Sequence, residues 1–374
     1  MKKRVRAFTE GVVLMVSPLL LAVALKQTNL KSQRNRLRFG IPPLAAASLE
    51  AGLLPFIGFC LSELPGNRLA SLLLRASKLL VHLCALLLMA LAYGIILLLI
   101  DDVDKYLAGL LLVPLVGLTV WCCYLSTRNE HERDEQGDGN SVDFSAAVTA
   151  LLFLGLQGLV LQGQSSAGLK ILFKASLGFT YLTCALGVFF MLIETVPPLR
   201  TDHRDRAQMC LDIALAIAIA VVVVLIAAAP LKELTWLVLV PLILSLLVWM
   251  YRVLVPVAYE EHQPGRQDPT VADQQQRPAA ASLELTKVTF TGFLAVAVPT
   301  FSNTPAGRAT RGFVLLSGAA VISGIGWRLL THCTAPPRAV ETTAKTACFL
   351  AHVCVAIAVI PFAILASNAI NLKS

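Results

Sequence analysis

The sequence predicts an all-α fold, a polytopic transmembrane helical bundle of about eleven spans. Three observations carry that expectation. Of the 374 residues, 56% are hydrophobic and only 14% are charged, whereas a soluble domain carries roughly 25% charged residues. Mean hydropathy is +0.73, and the apolar residues gather into runs of about twenty, the length of helix that crosses roughly 30 Å of hydrocarbon. Finally, stretches such as IALAIAIAVVVVLIAAA, Ile213 to Ala229, lack the apolar–polar alternation of membrane-barrel strands. A backbone in lipid must satisfy its own hydrogen bonds, and a helix does so locally.

The first expected span, centred on Met15, has two readings. A basic MKKRVRAF precedes a short apolar stretch from Val12 to Leu25, and Ala22–Ala24 has the small-x-small form of a signal-peptidase site. Pro18 in its middle and the basic KQTNLKSQRNRLRFG after it are unusual for an ordinary span, and an uncleaved anchor is the favoured reading. The remaining centres are Leu53, Met89, Val116, Leu154, Ala185, Val221, Ile243, Ala295, Ala319 and Val355. Most gaps between them are short, as one packed integral membrane domain over residues 1–374 requires. Two gaps stand out. Residues 126–142 are acidic and contain glycine, and residues 260–282 are rich in Gln, Pro and Ala, the composition of a disordered linker.

Orientation follows from lysine and arginine, which are retained in cytosolic loops. With the N-terminus in the cytosol, inside segments hold nineteen of the thirty-one Lys and Arg residues. Five of the twelve outside lie in the single loop from Lys26 to Arg38. Both polar loops then fall in the cytosol and the C-terminus outside. The net charge of +8 is a topology signal first and an attraction to anionic lipid second. No aromatic–basic module accompanies it, so nucleic acid is not an expected partner; the lipid bilayer is.

LLVPLVGLTVWCCYL (Leu111–Leu125) and VLVPLILSLLVWMYR (Val238–Arg252) share a proline after an aliphatic triplet and a tyrosine ten residues on. Pro114 and Pro241 are 127 apart, as are Tyr124 and Tyr251, while Cys84 and Cys210 are 126 apart. His82–Cys84 recurs more faintly as His352–Cys354. This suggests parallel repeats of four, four and three spans, over 8–125, 143–255 and 285–368. Superposing the first two units should then bring Pro114 onto Pro241.

Few residues offer chemistry. Glu50, in AAASLEAGLLPF, sits well inside the second span. An ionisable group at that depth is a proton- or substrate-site candidate by default; the plain alternative is a protonated, hydrogen-bonded helix contact. Small Ala46 and Ala47, with Leu53 and Leu54, surround it one turn away, so it is expected to face the bundle interior. Asp212, at the start of the seventh span, is the second candidate, with a reach to the membrane surface as its alternative. Cys122 and Cys123, at a cytosolic helix end, are candidates for palmitoylation. IDDVDK (Ile100–Lys105) and TDHRDR (Thr201–Arg206) read as solvated turns. Cys348 and His352 share a helix face but Cys354 points elsewhere, and no metal or cofactor is expected. Pro18, Pro55, Pro114, Pro241, Pro299 and Pro361 fall within spans, where each leaves a carbonyl for a neighbour to satisfy.

These features point to a transporter of a small solute or ion, with a non-catalytic membrane scaffold or accessory protein as the alternative. A lipid-modifying enzyme ranks third, because a metal or nucleophile constellation is missing; the expected class is not an enzyme.

Overall fold

The computed structural model describes residues 2–24, 35–62, 70–97, 102–128, 140–162, 169–196, 204–254, 285–302, 306–331 and 338–371. Among these residues every regular element is helical. The helices are α1 (Lys2–Ala24), α2 (Asn35–Ser62), α3 (Ala70–Ile96), α4 (Asp102–Arg128), α5 (Asn140–Gln162) and α6 (Lys170–Thr195). They continue as α7 (Arg204–Leu231), α8 (Val240–Leu254), α9 (residues 285–297), α10 (Arg308–Thr331) and α11 (Arg338–Asn371). Each of the eleven expected centres lies inside one of them. Among the described residues seven segments are long and apolar enough to cross a membrane, and the 42-residue stretch Cys210–Tyr251 counts as one of these. The described parts of α5 and α9 are apolar but shorter, Phe144–Val160 and Leu285–Phe301.

The chain divides into two compact units. The first holds residues Met1–Gly163 and Lys174–Ile219, and the second holds Gln164–Phe173 and Ala220–Ser374. Neither matches the spans of the expected repeats.

Contacts within the first unit fix helix directions. Thr9 of α1 donates to the Gly52 carbonyl of α2 at 2.9 Å. Cys84 of α3 meets the Ser48 carbonyl of α2 at 3.4 Å, and Gly58 packs on Ser77. Both pairings of α3 with α2 run in opposite senses along the chain, so these helices are antiparallel. Gly11 against Ala146, and Met15 against Gln157, set α1 parallel to α5. Ser145 with Glu194, and Thr149 with Gly187, set α6 antiparallel to α5. This is the alternation that successive crossings produce.

The second unit is built the same way. Thr286 and Phe293 of α9 meet Gly324 and Gly318 of α10, an antiparallel pair. Phe313 and Trp327 of α10 meet Phe362 and His352 of α11, ring centroids 5.6 and 6.0 Å apart. Between α7 and α8 the chain leaves the α-helix. Pro230 cannot donate to the helix, Lys232 takes the left-handed φ of 54°, and Lys232–Leu239 forms a 3₁₀ helix. The polar pair Lys232–Glu233 stands at this break and is exposed, which is where the seventh and eighth spans were expected to part.

The same break gives the two prolines of the expected repeats different surroundings. Pro114 lies deep in α4 and is exposed, whereas Pro241 occupies the first turn of α8 and is buried. A first-turn proline replaces no helical hydrogen bond; one in mid-helix does. The shared offset of 127 therefore joins two prolines in unlike helix contexts.

Candidate functional site

A seam of buried polar groups runs through the first unit where α1, α5 and α6 meet. It rests on close approach. A Cβ on Gly11 would lie 2.8 Å from the Ala146 Cβ, and one on Gly187 would lie 2.5 Å from the Thr149 Oγ1. Both glycines therefore let helices touch through their backbones, the packing that membrane helices use in place of a hydrophobic driving force. Phe8, Val12 and Met15 of α1 are wholly buried beside them.

Pro18 opens the middle of α1. It lacks an N–H, so the Leu14 carbonyl loses its helical donor. In the same turn the Met15 carbonyl accepts from the Gln157 Nε2 at 2.8 Å. A neighbouring helix thus supplies a donor in the proline turn, to the carbonyl next to the freed one.

Lower in the seam the Ser145 hydroxyl of α5 donates to the Glu194 Oε2 of α6. Glu194 is only 4% exposed. Its carboxyl thus joins the last turn of α6 to the second turn of α5. Asp212 of α7, also assigned to this unit, is 6% exposed, and its Oδ1 has no hydrogen-bond partner among the described residues. A buried polar atom without a partner is costly. In α3, His82 is buried; its Nδ1 pairs with the Lys78 carbonyl at 2.8 Å, and its Nε2 has no partner among the described residues.

The structure separates the residues singled out from sequence. Asp212 is buried. Glu50 is exposed, and so are Ala47, Leu53 and Leu54 beside it. Its expected packing against the bundle interior is corrected: α2 turns the opposite face, including Ala45, Ser48 and Gly52, toward its neighbours. Glu50 lies near the centre of the apolar segment Gly40–Leu61, where an ionised carboxylate costs about 2.5–3.5 kcal/mol on insertion scales. Cys122 is 7% exposed and Cys123 half-buried. His352 pairs with the Cys348 carbonyl at 2.8 Å and touches its sulfur at 3.7 Å. No group of three His, Cys, Asp or Glu side chains able to hold a metal occurs among the described residues. Asp101, Thr201–His203, residues 129–139 and the linker 260–282 lie outside the described residues, as do the side chains of Asp102 and Asp104.

Glu194, Ser145, Gln157 and the burial of His82 were not anticipated. Glu194 stands just before Pro197–Pro198, where a carboxylate reads as the end of a span at the membrane surface. Gln157 was the more legible, an amide in the middle of an apolar run.

The chain's long apolar helices and its internal polar pairing define an α-helical integral membrane protein. No family model, curated protein or solved structure matches it.

Proposed function

We propose that this chain is a multi-pass transporter of a small solute or ion, with Asp212 as its coupling carboxylate. One observation carries the reading: the Asp212 Oδ1 is enclosed near the start of an apolar segment without a hydrogen-bond partner among the described residues. Intramembrane ionisable groups mark ion pathways and proton relays. The buried Glu194 adds a second carboxylate in the same unit. Glu50 is no longer the leading candidate, because it is exposed. The lysine and arginine asymmetry supports an N-terminus in the cytosol and a C-terminus outside.

A scaffold remains the second reading, and a specific pattern favours it. Ser48, Ser77, Thr119, Thr180, Ser245 and Ser317 all donate to carbonyls four residues back in their own helices. Hydroxyls so engaged spend their one donor within their own helix. Purified chain in liposomes separates the two. Under imposed proton and cation gradients, a transporter gives flux above that of empty liposomes, and a scaffold gives none.

A further inference from the structure

The outer face of α2 combines features that suit neither lipid nor water. Its exposed positions Pro43, Ala47, Glu50, Leu54, Ile57 and Leu61 recur at alternating intervals of four and three. With Leu53 they form one narrow stripe, and most positions beside it are partly covered. This is one helix face, of the width by which a helix can meet a single other helix. Glu50 stands near its middle, at the centre of the 22-residue apolar segment Gly40–Leu61, and small Ala47 lies one turn away. No hydrogen bond of the described residues engages its carboxyl. Left against hydrocarbon, it bears the cost given above.

We propose that α2 of a second copy of this chain covers this face, with the two Glu50 carboxyls meeting across a two-fold axis along the membrane normal. Depth and chemistry favour a second copy over an unrelated helix. Two copies inserted with the same topology present Glu50 at the same depth, without any further adjustment of register. A protonated carboxyl has one donor and free acceptor capacity, so a pair of them is self-complementary. A two-fold interface needs that property, since it brings the same patch of both subunits together. Ala47 lets the backbones approach as small residues do in membrane interfaces. The inference is independent of the transport reading.

Two full-length chains with different tags, co-expressed in one membrane, test it. Leu54→Cys in both should yield an oxidative cross-link joining the two tags, above the level of the parent chain. Ile360→Cys, on the exposed face of α11, should not. Glu50→Ala should weaken association about tenfold, the loss of an interhelical hydrogen bond in a membrane, as read by single-molecule photobleaching in vesicles. Glu50→Gln should largely preserve it, because an amide also donates and accepts. A chain that is monomeric in these vesicles overturns the proposal. So do cross-links only at Ile360→Cys, cross-links to a different protein, or association indifferent to Glu50→Ala.

Discussion

The Gln157 amide of α5 donates to the Met15 carbonyl of α1 across 142 positions of chain. The two helices are thereby joined at the turn that Pro18 loosens. Gln157→Leu keeps the volume roughly constant and removes the donor. The folded protein should lose about 0.5–2 kcal/mol, the range of interhelical hydrogen bonds in membranes. Unfolding in mixed micelles measures this, and an unchanged midpoint would show that the contact contributes nothing.

Gly11 and Ala146 form a size-matched pair. Gly11→Ala should destabilise by about 1–3 kcal/mol, since the added methyl overlaps the Ala146 side chain. Ala146→Gly in the same chain should recover much of that loss. Failure of the second substitution to rescue the first, in a double-mutant cycle of thermal stability, would mean that some other contact limits the approach of α1 and α5.

Lys232 holds a φ of 54° at the break between α7 and α8. A side chain in this region costs roughly 1–2 kcal/mol, and glycine avoids most of it. Lys232→Gly should therefore raise the melting temperature in detergent, while Lys232→Val should lower it.

Hydropathy made the helices legible and left their faces hidden. The eleven centres could be read because every helix interior is apolar, whichever way it turns. For the same reason the sequence could not say which side of α2 is covered: leucine and alanine surround Glu50 on all sides, and only packing shows that Ser48 is buried and Glu50 exposed. Glu194 was hidden by its place near a helix end, since only the Ser145 hydroxyl and the neighbouring helices make that end an interior. The proline offset is less telling, because a residue spacing records no helix context. Pro114 interrupts a helix, and Pro241 begins one.

The coupling role proposed for the buried Asp212 is tested most directly by flux through a reconstituted chain. Asp212→Asn keeps the size of the side chain and removes its charge and its proton. With wild-type and variant protein inserted at equal density and equally stable, gradient-driven flux should be present in the wild type and abolished in the variant. Equal flux from both would contradict the role given to Asp212, and flux from neither, across proton and cation gradients, would contradict transport itself.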